Sequence, residues 1–188
     1  IVADGYISNY VSDGSYQLYM KNVSLEGVGN LYLDFLKLKK KLDKEGLFSN
    51  YYKKPIPRFP KSIGVVTSET GAVIRDIINV VSRRYPKVAI KLYPALVQGK
   101  DSVSSLIAGI NFFNLEYPVD TIIIGRGGGS LEELWSFNDE DLARAIFASS
   151  IPVISAVGHE TDFTICDFVS DERAPTPSAA AEIATPNL

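Results

Sequence analysis

An α/β fold, an open and mostly parallel sheet with helices on both faces, is predicted by three observations. From residue 61 onward, short apolar runs alternate with amphipathic segments of helical length. Two of the runs, Ile63-Gly64-Val65-Val66 and Thr121-Ile122-Ile123-Ile124, are continuously apolar rather than alternating, as strands covered on both faces are. The loops that follow the runs are polar or glycine-rich. A βαβα pattern of this kind implies right-handed crossovers, with ligands bound outside the carboxyl ends of the strands at a switch in strand order.

The elements follow in chain order. Residues 1–24 read as two short strands, Gly5–Val11 and Ser15–Met20, joined by Ser12-Asp13-Gly14, whose Asp-Gly step favours a hairpin. A lone hairpin is marginal in water, so these strands are the tail of a small β domain or an extension packed on the main body. The spacing Leu31, Phe35, Leu38, Leu42 predicts a helix over residues 31–45, with Gly46 as its cap. Pro55, Pro57 and Pro60 mark a linker, and the domain boundary is placed there. Next come strand Ser62–Thr67 and helix Gly71–Arg84, whose stripe is Val73, Ile74, Ile77, Ile78 and Val81. Strand Val88–Leu96, helix Ser102–Phe113 and strand Thr121–Ile124 follow. Two helices within residues 131–149, strand Val153–Val157 and further helices complete the chain. The last helix is introduced by Arg173–Ser178, with Thr176 as cap and Pro177 at the first helical position.

The 188 residues, 46% hydrophobic and 22% charged with a mean hydropathy of +0.06, exclude disorder, collagen-like repeats and a dominant coiled coil. No apolar run approaches the roughly 20 residues of a membrane span, so no membrane partner is expected. One cysteine, Cys166, excludes an internal disulfide, and a single histidine excludes a multi-histidine zinc site; a cytoplasmic setting is expected. The chain opens at Ile1 and its one methionine is Met20, so a piece of a longer protein is expected. Net charge is −3, but residues 31–62 carry +6 and the remainder −9. The basic stretch interleaves Lys37, Lys39, Lys40, Lys41, Lys44, Lys53 and Lys54 with Tyr32, Phe35, Phe48, Tyr51 and Tyr52. Such a mixture follows a phosphate backbone and stacks bases; the plainer alternative is a solvated helix face with its aromatics in the core.

Four loops gather at one sheet edge in this topology: Thr67–Gly71, Gln98–Ser102, Gly125–Ser130 and Gly158–Asp162. In Gly125-Arg126-Gly127-Gly128-Gly129-Ser130 a strand ends in glycines where a helix begins, which leaves backbone amides free for a phosphate, and Arg126 adds a bidentate cation. The loop lacks the endings of a Walker A or dinucleotide fingerprint, and a tight turn is its plainer reading. The fourth loop holds the chain's only histidine, His159, with Asp162 three positions on. Phosphodiester cleavage needs a proton-transfer group titrating near neutrality, a partner that orients it and a cation over the phosphoryl oxygens. His159, Asp162 and Arg126 are suited to those three tasks. By the residues alone Asp76 is an ordinary helix aspartate, and Trp135 and Phe137 are core residues or base-stacking ones.

Three segments carry a resemblance: Gly-Arg-Gly-Gly-Gly-Ser-Leu-Glu-Glu-Leu-Trp at 125–135, Ser-Ala-Val-Gly-His-Glu-Thr-Asp at 155–162, and Arg-Ala-Pro-Thr-Pro-Ser-Ala-Ala-Ala-Glu at 173–182. They resemble the large subunit of bacterial exodeoxyribonuclease VII, as do Thr67 to Asp76 and Tyr-Lys-Lys-Pro-Ile-Pro at 52–57. The resemblance implies that residues 1–24 end an OB-fold nucleic-acid-binding domain, residues 25–60 are a basic helix and linker, and residues 61–188 are a catalytic α/β domain. It implies hydrolysis of single-stranded DNA from either end, giving oligonucleotides and nucleoside 5′-phosphates. The family's catalytic positions fall on Asp76, Arg126, His159 and Asp162. Substrate contacts are expected from Thr67, Ser68, Thr70, Gly127, Gly128, Gly129, Ser130, Lys39, Lys40 and Lys41. No residue is assigned as a metal ligand, and no cofactor is strictly required, with magnesium as the alternative. The expected partners are single-stranded DNA and a small subunit that assembles through a C-terminal coiled coil absent from these residues. Competing readings are a non-hydrolytic nucleotide- or phosphosugar-binding domain and a plain single-strand binding module.

Overall fold

A computed structural model describes residues 2–10, 15–24, 28–127, 133–158 and 163–187. The chain forms two compact units, Ile1–Lys41 and Leu42–Leu188.

The first unit holds strands β1 (Val2–Tyr10) and β2 (Ser15–Ser24), paired antiparallel, and most of helix α1 (Val28–Lys44). The register shifts between Asp4 and Gly5, where a β-carbon on Gly5 would run into the carbonyl of Tyr19. Tyr6 and Tyr19 stack across the pair, with ring centroids 5.3 Å apart. The Asp13-Gly14 turn lies outside the described residues.

The second unit contains a five-stranded parallel sheet. Its elements are β3 (Ser62–Thr67), α2 (Ala72–Arg84), β4 (Ala89–Pro94), α3 (Ser102–Leu115) and β5 (Thr121–Gly125), followed by the 3-10 helix Glu133–Asn138. Then come α4 (Glu140–Ala148), β6 (Val153–Ala156), α5 (Ile165–Val169), β7 (Glu172–Arg173) and α6 (Pro177–Ile183). The strand order is β4-β3-β5-β6-β7, and every pairing is parallel. The chain leaves β3 towards β4 and returns to β5 on the other side, so the order switches between β3 and β5, where doubly wound sheets bind ligands. The two-residue β7 stands where only helices are expected from the sequence. It pairs with β6 at the sheet edge, and the charged pair Glu172-Arg173 carries no apolar signature of a strand.

Strand periodicity sorts the core into two layers. Ile63, Val65, Ile123, Ile154 and Ala156 pack against Val73, Ile77, Val80 and Val81 of α2 and against Ala180 and Ala181 of α6. On the opposite face, a β-carbon on Gly64 would stand 2.8 Å from the Phe113 ring, and one on Gly109 would stand 2.6 Å from Val66. Glycine at both positions lets α3 lie close to β3. Ile122, Ile123 and Ile124 are fully buried, which explains the unbroken apolar run.

Residues 42–60 lie within the second unit. The Lys53 ammonium donates to the carbonyls of Phe168 (2.7 Å) and Ser170. Asp171 accepts from the Lys54 amide (2.7 Å), pairs with its ammonium (3.0 Å) and accepts from the Val153 amide (2.7 Å). Two lysines of the basic stretch are therefore structural ties. The start of β3 is held likewise, since Asp120 Oδ2 accepts from the amides of Lys61 (2.7 Å) and Ser62 (2.8 Å).

Candidate active site at the strand-order switch

A cavity of about 310 Å³ opens at the carboxyl edge of the sheet, on the α2 and α6 side. Its walls come from three places: Ala72, Val73 and Asp76 in α2; Arg126 and Gly127 after β5 with Ala156 and Val157 at the end of β6; and Pro175–Ser178 at the start of α6. Sequence reasoning assigned Asp76 and Arg126 to one site, and the fold brings both to this cavity. Asp76 lies one helical turn after Val73, whose side chain is buried on the sheet; the carboxylate is therefore half-buried at the margin of the apolar stripe.

Arg126 is 5% exposed, although a guanidinium is rarely buried to that degree. Its Nε donates to the Gly127 carbonyl at 2.9 Å, which holds the side chain in place. Gly125, just before it, lets the layers close: a β-carbon there would lie 3.1 Å from the Ala156 carbonyl and 3.4 Å from Val73. At Gly127 a β-carbon would meet nothing within 4 Å, so that backbone faces open space. A fixed cation beside an open glycine backbone and a half-buried carboxylate is an arrangement that can hold a phosphoryl group and orient a water molecule.

The other expected site residues fall in several places. Thr67, at the carboxyl end of β3, is fully buried and its Oγ1 has no hydrogen-bond partner among the described residues. Ser68 is half-buried, and Thr70 is exposed with its carbonyl accepting from Arg75 at 3.2 Å. Lys39, Lys40 and Lys41 belong to the first unit. Gly128, Gly129, Ser130, His159 and Asp162 lie outside the described residues. Gly158, immediately before His159, follows β6 at the same sheet edge. Pro175–Ser178, read in the sequence only as a helix start, line the cavity. The proline-rich capping segment signals a helix start but not the wall it joins.

The backbone on either side of residues 159–162 is anchored. Arg173 donates to the Gly158 carbonyl (3.5 Å) and lies 3.8 Å over the Phe163 ring. The buried Asp167 accepts from Ser155 Oγ (2.6 Å), the Thr164 amide (2.8 Å) and Thr164 Oγ1 (2.9 Å), and Thr164 caps α5. The Arg173 and Thr164 contacts hold residues on either side of the segment that carries His159, and the Ser155–Asp167 bond ties β6 to α5.

The family model described as exonuclease VII, large subunit, matches residues 47–188. Over all 188 residues the chain is 68% identical to the exodeoxyribonuclease 7 large subunit of Clostridioides difficile (strain 630), covering 47% of that protein. It is 62% identical to the protein of the same description from Clostridium tetani (strain Massachusetts / E88), covering 48% of it. For that of Geobacillus kaustophilus (strain HTA426) the identity is 58%, again over the whole chain and 42% of the relative. The chain spans about half the length of the curated relatives it matches. With Asp76 and Arg126 meeting at the strand-order switch, and a family match over most of the α/β unit, the chain belongs to the exonuclease VII large-subunit family.

Proposed function

We propose that this chain carries the catalytic unit of an exonuclease that hydrolyses phosphodiester bonds of single-stranded DNA from either end, giving oligonucleotides and nucleoside 5′-phosphates. The observation that carries the reading is the convergence of Arg126 and Asp76 on one cavity at the switch point. Arg126 and the amides of the glycine loop hold the scissile phosphate and neutralise its developing charge. His159 transfers the proton, Asp162 orients His159, and Asp76 positions the attacking water. The relatives' description as a large subunit supports a smaller partner subunit, with the assembly acting in the cytoplasm. The hairpin of the first unit is assigned to the end of an OB-fold domain, and Lys39, Lys40 and Lys41 to the phosphates of the strand. No helix among the described residues is long and apolar enough to cross a membrane.

The reading includes hydrolysis without a strict divalent-metal requirement. Among the described residues one carboxylate, Asp76, lines the cavity, beside a fixed guanidinium, whereas a pair of metal ions asks for several oxygen ligands each. The test is hydrolysis of labelled single-stranded DNA by the full-length chain with its small subunit. His159→Ala is expected to abolish turnover, and wild-type activity is expected to persist in excess chelator. Full activity in His159→Ala overturns the catalytic assignment. Complete loss in chelator, restored by magnesium, recasts Asp76 and Asp162 as metal ligands.

A further inference from the structure

A second depression opens at the same carboxyl edge, on the α3 side of the sheet rather than the α2 side. It has a volume of about 320 Å³ and is lined by Gly99 and Lys100 after β4, Ser102 and Val103 of α3, Trp135 and Ser136 of the 3-10 helix, and Asp139. That size is at the low end of small-ligand pockets, closer to one nucleotide than to a folded partner. Leu134 and Phe137 anchor the 3-10 helix in the core at 5% and 0% exposure. Trp135, between them, is left half-buried on the wall of the depression. The floor is rigid: Ser102 Oγ bonds Ser136 Oγ at 2.6 Å and donates to the Gly99 carbonyl at 2.5 Å. Gly99 adopts a left-handed φ of +89°, a turn that sets Lys100 on the rim. Lys100 is exposed and has no ion pair among the described residues. Among the described residues the one acid on the wall is engaged elsewhere, because Asp139 Oδ1 accepts from the amides of Asp141 (2.8 Å) and Leu142 (3.2 Å) as the cap of α4.

An indole on a rigid wall with an uncommitted ammonium at the rim matches the two parts of a nucleotide, a π face and a phosphate. We propose that Trp135 and Lys100 form a subsite for one nucleotide of single-stranded DNA, its base stacked on the indole and its phosphate paired with Lys100. The subsite rests on the exonuclease reading for its place on the substrate strand. Trp135 acts in it as a binding residue.

The test measures affinity for a labelled oligodeoxythymidine by fluorescence anisotropy. It uses the full-length chain with its small subunit, in the His159→Ala background that blocks turnover, with wild-type hydrolysis followed in parallel. Trp135→Ala is expected to weaken binding about tenfold or more, and Trp135→Phe, which keeps a stacking face, to recover most of it. Lys100→Ala is expected to reduce the salt slope by about 0.7, the change for one phosphate contact on a single strand. Equal affinity in Trp135→Ala and its parent overturns the subsite. Should Trp135→Ala lower the melting temperature, Trp135→Phe and Lys100→Ala decide, and an unchanged salt slope in Lys100→Ala overturns the pairing. Wild-type hydrolysis with unchanged Trp135→Ala binding overturns the subsite alone. Weakened binding without wild-type hydrolysis retains the subsite and overturns the exonuclease reading.

Discussion

Lys40 and Lys53 belong to one basic stretch of sequence, yet the two units treat them in opposite ways. Lys40, in the first unit, is exposed. Lys53, in the second, is half-buried and spends its ammonium on the carbonyls of Phe168 and Ser170. Burial lowers the Lys53 pKa below its usual range, and the Asp171 charge offsets part of that. Aromatic side chains divide less cleanly: Tyr6, Tyr16, Tyr19 and Tyr32 are exposed in the first unit, whereas in the second Phe113 and Phe137 are fully buried while Tyr51 and Tyr52 stay exposed. Positive charge and aromatic rings therefore do not make a nucleic-acid surface by themselves. Where a sheet and its helices present free carbonyls and apolar cavities, the same residue types are absorbed into the fold.

Four measurements put that contrast to the test. The largest effect is expected in the second unit, where Arg126→Ala should lower the hydrolysis rate constant on the order of 10³-fold, as loss of a phosphate-stabilising arginine does. A loss below tenfold, with the melting temperature retained, would place charge stabilisation elsewhere. Next, Asp167→Ala leaves Ser155 Oγ and the Thr164 amide without their buried acceptor and should cost roughly 3 kcal/mol in urea unfolding. A cost under about 1 kcal/mol would mean that the backbone flanking residues 159–162 does not depend on this carboxylate.

In the first unit, joint Lys39→Glu, Lys40→Glu and Lys41→Glu should reduce the salt slope of single-strand binding by about 2 and leave urea stability within about 0.5 kcal/mol. An unchanged slope would show these lysines to be a solvated face. The smallest effect is a pH dependence. Burial pushes the Cys166 thiol well above its usual range, so above the ordinary thiol value of about 8.5 the unfolded chain ionises and the folded one does not. The folded state then binds the extra proton, and stability falls as pH rises, by at most about 1.4 kcal/mol per pH unit. Cys166→Ala should remove that part of the alkaline slope, and an identical slope in both proteins would assign the loss to other groups.

Much of the α/β unit is legible in the sequence because burial on two faces demands uninterrupted apolar runs. β3 and β5 are found for that reason. β4, at the sheet edge and only partly buried, is shorter than the run Val88–Leu96 suggests, since edge strands face weaker apolar demands. β7 escapes notice because two charged residues can pair with β6 through their backbone alone. In the site, Asp76 is recognisable by family resemblance and not by composition, since an aspartate at the margin of a helix stripe looks like any solvated one. Arg126 stands out beside its glycines.

Apolar periodicity and glycine placement act locally, so they mark out the buried strands and helices and the four polar loops that follow the strands. Packing of the layers is what makes Pro175–Ser178 wall the same cavity as Asp76 and Arg126, and what turns Lys53 into a strut while Trp135 remains at the surface. Those outcomes depend on the strand order β4-β3-β5-β6-β7, which sets residues distant in sequence side by side. Contacts between distant segments leave no mark on the hydrophobic pattern of either segment alone, so they are settled only when the layers pack.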